Sequence, residues 1–404
     1  MVDALFTSTS AVCVTGLITV DTASYSFFGK LVIMLLIQFG GLGIITFTTL
    51  YLANPRHKIS LIKRKLIGEY YLDTVLRNPL TIIRHIILFT MTIELLGALS
   101  MFFIFRKTVG EGAFFCSLFH SISAFCNAGF SLFNNNFEDY LTNPTINATV
   151  MALIVCGGLG FVVLEDLVER LVGKRRTLTL HTRLVLLITA GLIMSGVVAF
   201  LLFDWNGALE ALTVPQKVMA SLFQSITPRT AGFDTIPQRS FSAPSQFTCL
   251  FLMYVGASSA STGGGIKTTT FFLILLMILR GTESQDIRLF GRKIPSSSIA
   301  RAMIVSLRAF ALLALCIAVL TVSELLLAPG EGKDFLAVVF ESFSAFGTVG
   351  LSLGLTPTLT VAGKLMIIFT MFAGRVGMIA LAISTPKKPP KQVYDVPREE
   401  VLIG

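Results

Sequence analysis

The chain of 404 residues is 53% hydrophobic and only 14% charged, with a mean hydropathy of +0.78 and a formal net charge of +9. An average soluble domain carries roughly 25% charged residues, so the composition excludes a soluble enzyme or binding module and points to an integral membrane protein. The basic excess comes without the basic and aromatic groove pattern of a nucleic-acid binder; it fits membrane topology and anionic lipid headgroups instead.

The first element, FTSTSAVCVTG, is a hydroxyl-rich run ending at Gly16, and it recurs as FHSISAFCNAG at Gly129, LFQSITPRTAG at Gly232 and FESFSAFGTVG at Gly350. The glycines are 113, 103 and 118 residues apart, so one unit of about 110 residues occurs four times. Apolar runs near the roughly 20 residues that a bilayer helix needs lie at 30–52, 81–105, 146–171, 180–203, 245–279, 303–328 and 361–384, predicting seven spans. Between them, segments 54–80, 173–183 and 280–301 and the tail hold 19 of the 32 Lys and Arg. Short cytoplasmic loops carry that excess, which puts these segments and the C-terminus inside and every Gly motif outside.

Within a unit the order reads span, short apolar stretch, Gly motif, span, most clearly at 81–105, 113–125, Gly129 and 146–171. A stretch that short is re-entrant rather than spanning, and irregular backbone at membrane depth must border protein or water. A half-helix entering from outside aims its carbonyl end, worth roughly half a negative charge, at the membrane interior. The extended segment behind it can then offer carbonyl oxygens to a dehydrating cation. The candidate filter residues are Val12, Cys13, Val14, Thr15 and Gly16; Cys126, Asn127, Ala128 and Gly129; Thr230, Ala231 and Gly232; and Gly347, Thr348, Val349 and Gly350. The hydroxyls of Thr7, Ser8, Thr9, Ser10, Ser121, Ser123, Ser225, Thr227, Ser342 and Ser344 read as polar packing without fixed charge. The third copy is one residue shorter and contains Pro228 and Arg229, the latter expected to face a carboxylate behind the filter.

The second spans also repeat, as IQFGGLGIITF, IVCGGLGFVVL and MFAGRVGMIAL, whose small residues suit close helix packing. The last of these carries Arg375 in mid-span, where a charge is costly and is read as functional; it is expected to face the pore. The third second span is interrupted by Gly256, Ala257, Ser258, Ser259, Ala260, Ser261, Thr262, Gly263, Gly264 and Gly265, followed by Ile266 and Lys267. Helix propensity collapses there, predicting an intramembrane loop beneath the filter that obstructs the pore and moves. A phosphate-binding loop is excluded because Ile266, not Gly, precedes Lys267. Glu94 reads as a structural pair within its span, and His120 as a packing residue. Neither the four His nor the six Cys show metal-ligand or CxxC spacing, and no hydrolase or metalloprotease motif gives an enzyme a nucleophile or a metal.

As a set, the four segments VCVTG, FCNAG, RTAG and GTVG, the broken third span and Arg375 resemble the Trk/Ktr/HKT superfamily of potassium transporters, and within it the bacterial Ktr-type ion-translocating subunit. The resemblance implies an all-α polytopic membrane protein of four span, pore loop, span units around a central pore. It implies that the four glycines line a potassium filter, that the residue 256–265 loop gates with Lys267 and Arg375, and that the protein is not an enzyme and binds no cofactor. It also implies a homodimer in the plasma membrane, regulated by a cytosolic RCK-type nucleotide-binding subunit, with Gly16 marking potassium preference and sodium a candidate activator. The units are then 1–53, 54–172, 173–280 with the gating loop, 281–385, and a cytoplasmic tail 386–404. The superfamily has eight spans, so the first outer span is expected to be missing, with a start codon assigned too far downstream as the expected cause.

Overall fold

The computed structural model describes residues 1–53, 79–173, 176–280, 286–290, 292–330 and 333–377. Backbone polar groups in hydrocarbon must be satisfied within the chain, and the apolar runs accordingly fold as helices. These are α1 (Val2–Cys13), α2 (Phe27–Ala53), α3 (Pro79–Thr108), α4 (Ala113–Phe125), α5 (Pro144–Leu159), α6 (Phe161–Leu171) and α7 (Leu180–Asp204). They continue as α8 (Val214–Ile226), α9 (Ala243–Tyr254), α10 (Thr268–Arg280), α11 (Ser296–Leu320, prolonged by a π turn at Thr321–Leu326), α12 (Phe335–Gly347) and α13 (Val361–Val376). The all-α expectation misses one element, an antiparallel hairpin of β1 (Asp286–Leu289) and β2 (Arg292–Pro295) turning at Phe290, whose φ is +47°.

Among the described residues, three helices are long and apolar enough to cross a membrane, at Ile83–Thr108, Leu180–Asp204 and Ser296–Leu326. The expected span at 146–171 is bent by 102° between α5 and α6. That at 245–279 is broken between α9 and α10, and α13 stops at Val376. Segment 54–78, the end of the last expected span and the tail lie outside the described residues.

Capping side chains set where the helices start. Asn143 accepts from the amides of Thr145 and Ile146 ahead of Pro144, and Thr179 and Thr360 cap α7 and α13 in the same way. Two buried carboxylates join a long helix to the next helix but one. Asp204, closing α7, accepts from Ser242 N–H at 2.9 Å and from the hydroxyls of Ser242 and Ser245 at the start of α9. Glu324, in the π turn, accepts from Thr360 N–H at 3.1 Å and Thr360 Oγ1 at 2.6 Å at the start of α13, and from Lys333 Nζ at 2.7 Å. A carboxylate at a helix N-terminus meets orphan amides and the positive end of the dipole, so each long helix fixes the entry of the second helix of its unit.

Packing then relies on small residues, since lipid tails are as apolar as the helices. α3 packs on α4, α7 on α8, α1 on α2 and α12 on α13, while α1 also packs on α13, the last of the described helices. Gly97 and Gly196 leave room for the hydroxyls of Ser121 and Ser225, which donate to the carbonyls of Glu94 and Ile193 at 2.6 and 2.7 Å. Gly40, Gly157 and Gly374 in the second helices lie against the carbonyls of Val12, Phe125 and Phe346 at the ends of α1, α4 and α12. Aromatic side chains fill the remaining space, including Phe105, Phe119, Phe125, Phe130 and Phe137 in one core and Phe6, Phe200, Phe241 and Phe340 in the other.

Candidate cation pathway

Each of the four short helices α1, α4, α8 and α12 ends at a segment with unusual backbone. Val14, Asn127, Thr230 and Thr348 all have positive φ, at 57°, 59°, 80° and 49°. All four stand two residues before Gly16, Gly129, Gly232 and Gly350, whose φ values are 94°, 69°, 74° and 99°. Positive φ is uncommon outside glycine, and three of these residues are β-branched; each such residue costs of order 1–3 kcal/mol and persists only where its surroundings over-determine it. The determinants are visible here. A five-residue backbone bond closes each helix, from Thr15 N to Ser10 O, Ala128 N to Ser123 O, Gly232 N to Thr227 O and Val349 N to Ser344 O, at 2.7 to 3.3 Å. Side chains that sequence reading took for loose polar packing then hold the glycines. Ser10 and Ser344 accept from the N–H of Gly16 and Gly350 at 3.1 and 3.0 Å, while Ser123 and Thr227 donate to the carbonyls of Phe130 and Phe233 at 2.8 and 2.7 Å.

The four loops meet in a closed ring. A Cβ on Gly16 would lie 2.5 Å from the carbonyl oxygen of Ala128, and one on Gly129 would lie 2.7 Å from that of Ala231. One on Gly232 would strike the carbonyl of Val349, and one on Gly350 the carbonyl of Thr15, which returns to the first loop. At all four positions both φ and neighbouring backbone exclude a side chain. The residues between, Thr15, Ala128, Ala231 and Val349, are fully buried. In each segment two residues of positive φ flank Thr15, Ala128, Ala231 or Val349, so the segment departs from both helix and strand.

The remaining candidates divide. Val12 and Cys13 lie in the last turn of α1, Cys126 caps α4 and Gly347 ends α12, so the non-helical segments are shorter than expected. Val12 is exposed, away from the ring. Behind the second loop, Cys126 Sγ lies 3.7 Å from Gln38 Oε1 and 3.9 Å from Glu94 Oε1, while Gln38 Nε2 donates to Glu94 at 3.2 Å. Glu94 is thus paired with neutral groups. Arg229 is buried, and no carboxylate among the described residues bonds it; its Nε has no partner, which corrects the expected pairing.

Above the ring lies a cavity of about 250 Å³, bordered by all four glycines and by Asp21, Glu138 and Asp234. Sequence reading missed these carboxylates, which fall at unrelated offsets in the loops. Below the ring, residues 255–267 form the loop between α9 and α10. Gly263 sits against Thr230 Oγ1 and Gly264 against Thr348 Oγ1, and Thr262 Oγ1 donates to Phe125 O at 3.3 Å. The loop therefore underlies three of the four segments. Arg375, buried, ties it to the first unit, donating to the carbonyls of Thr262 and, at 2.6 and 3.3 Å, of Gly40 and Gly41. Lys267 Nζ turns back to Gly263 O at 2.7 Å. Gly256, Ala257 and Ser258 form the buried first limb, with Ser258 accepting from Thr268 Oγ1, and Ser261 Oγ closes a turn on Ser258 O. Ser259 bonds Thr269, and Ala260 has φ +57°.

Sequence reading also missed the elbow between α5 and α6. Ser258 N donates to Gly158 O at 3.0 Å, Thr262 N to Gly157 O at 3.3 Å and Phe161 N to Ala260 O at 3.0 Å, with Gly160 at φ +90°. The bend in the second unit is thereby stitched to the loop of the third.

The sequence profile of a family described as cation transport protein, TrkH, matches residues 1–395. The Ktr system potassium uptake protein B of Bacillus subtilis (strain 168) is 40% identical over 413 residues, covering 100% of this chain and 89% of that protein. The potassium/sodium uptake protein NtpJ of Enterococcus hirae is 37% identical over 412 residues, covering 100% and 90%. Among solved structures, the potassium transporter TrkH from Vibrio parahaemolyticus superposes with a TM-score of 0.69 at 18% identity, covering 95% of this chain and 78% of that one.

Proposed function

The chain belongs to the TrkH cation transport protein family and is a transporter rather than an enzyme, and from that premise we propose that it takes up potassium through the ring of Gly16, Gly129, Gly232 and Gly350. The cyclic closure of four left-handed backbone segments carries this reading. Helices α1, α4, α8 and α12 bring four carbonyl ends to one place, each worth roughly half a negative charge. That field suits a dehydrated monovalent cation without a fixed carboxylate to trap it. The family resemblance and the relative named for potassium uptake support potassium as the ion, with sodium a candidate activator; the Enterococcus relative is named for potassium and sodium uptake alike.

In this reading Asp21, Glu138 and Asp234 raise the local cation concentration at the outer mouth, and the four span, loop, span units surround one pore. The loop of residues 256–265 blocks the inner side while Arg375 and Lys267 hold it, and release of the Arg375 bonds frees it to move. The protein sits in the cell membrane with its C-terminus in the cytoplasm, pairs as a homodimer, and receives its nucleotide signal from a cytosolic RCK-type subunit. Rubidium flux into proteoliposomes tests the core of the proposal. Gly129→Asp or Gly232→Asp should abolish flux in protein that still folds; undiminished flux would sink the filter assignment.

A further inference from the structure

The residue after the leading Phe of each short helix is polar and buried in all four units: Thr7, His120, Gln224 and Glu341. Three stand nine residues before the ring glycine and Gln224 stands eight before, matching the residue that the third copy lacks. Each reaches past its own glycine to the segment leaving the ring. Glu341 accepts from Ser352 Oγ at 2.8 Å and from Thr356 Oγ1, two and six residues after Gly350. Gln224 exchanges bonds with Gln238 at 2.7 and 3.2 Å, and Gln238 donates to Asp234 at 2.6 Å, again six and two residues after the glycine. His120 Nε2 faces Ser131 Oγ at 3.0 Å and accepts from Leu132 N–H at 3.2 Å, two and three residues after Gly129. Its Nδ1 donates to Cys116 O at 2.8 Å, which fixes the neutral tautomer needed for the Leu132 bond. Thr7 makes the slightest contact, 3.2 Å to the hydroxyl of Tyr25, nine residues after Gly16.

Resting on the filter reading, we propose that these four side chains are positioning residues, braces that hold both ends of each strained loop and thereby set how sharply the ring discriminates between cations. The loops contain β-branched residues at positive φ, a conformation kept only while the flanks are fixed. Within each loop the helix end is fixed by backbone bonds, and at the exit the brace acts beside single hydrogen bonds to the carbonyls of Phe130, Phe233 and Leu353 from Ser123, Thr227 and Arg239. A site that selects by the spacing of its oxygens loses discrimination when its supporting shell loosens by a fraction of an ångström, even while ions still pass. The brace chemistry is different in every unit, although its geometry recurs in three. Glu341, the only ionisable carboxylate of the set, has two hydroxyl partners and forms the firmest brace.

Rubidium uptake into proteoliposomes in the presence of competing sodium reads the effect. Ser352→Ala combined with Thr356→Val removes the fourth brace without touching the ring. It should lower rubidium-over-sodium discrimination at least fivefold while maximal flux stays within about twofold. Glu341→Leu should do the same, and adding Ser352→Ala to it should cost nothing further. Glu341→Gln keeps an accepting oxygen and should retain discrimination. Ser131→Ala should give a smaller loss in the second unit, because Leu132 N–H still holds His120. Wild-type discrimination in a folded, conducting Ser352→Ala/Thr356→Val protein overturns the proposal, as does Glu341→Gln behaving like Glu341→Leu. Either result leaves the filter reading standing, because that reading fails only on flux through the Gly129→Asp or Gly232→Asp variants.

Discussion

Asp234 stands two residues after Gly232 in the wall of the outer cavity. Burial pushes its carboxyl up to about 7, against the bond from Gln238, and the neighbouring Glu138 pushes it further. Glu138 is itself raised, by burial and by Asp139. The folded protein therefore favours protonated Asp234. Its contribution to stability is present at low pH and lost as pH rises through about 7, whereas the negative charge of the mouth appears over the same interval. Rubidium uptake at subsaturating concentration should accordingly rise between external pH 6 and pH 8, and Asp234→Asn should flatten that rise; an unchanged slope in the variant would remove Asp234 from the mouth. At this scale the sequence was legible where glycine was required. Gly16, Gly129, Gly232 and Gly350 announce themselves by spacing, but Val14, Thr230 and Thr348 do not, because nothing in a β-branched residue advertises a left-handed backbone. Their conformation is imposed by helix-closing bonds and by hydroxyls three or four residues upstream.

Among the elements, the loop of residues 256–265 is held by Arg375 through carbonyl bonds rather than by a salt bridge. Carbonyl partners offer no counter-charge to a buried guanidinium, so the contact is easier to break than a buried ion pair. Removing several residues from 257–265, or Arg375→Ala, should raise basal rubidium flux several-fold in the absence of any regulatory subunit. Folded variants with unchanged flux would show that the loop does not block. The loop was readable because helix propensity fails over many consecutive residues, and α4 was readable at Ala113–Phe125 because a short apolar run bounded by Gly allows little else. The elbow at Gly160 was not. IVCGGLGFVVL reads as a continuous packing face, and only bonds to Ser258, Ala260 and Thr262, about a hundred residues away, bend it. The buried caps Asp204 and Glu324 were hidden for the same reason, since their partners lie 38 and 36 residues downstream.

For the whole molecule, the cavity bordered by Glu138 and the exposed end of α6 at Leu171 should lie on opposite sides of the membrane. Glu138→Cys should react with a membrane-impermeant thiol reagent added outside, with a fall in flux, whereas Leu171→Cys should react only once the inner side is opened. The reverse labelling would invert the topology. Five of the six native cysteines are buried, which keeps the background low. Overall architecture was legible to the extent that four matched segments imply a common axis, but the order of contact was not. Each glycine rests on the loop of the next and the fourth returns to the first, an order that no local sequence pattern encodes. Because this circle closes within a single polypeptide, one codon change alters one wall in four, where an assembly of identical chains would alter all of them together. Defects can therefore be dosed in quarter steps, and comparing single, double and triple substitutions would show whether ion passage fails gradually or only once a set number of walls is lost.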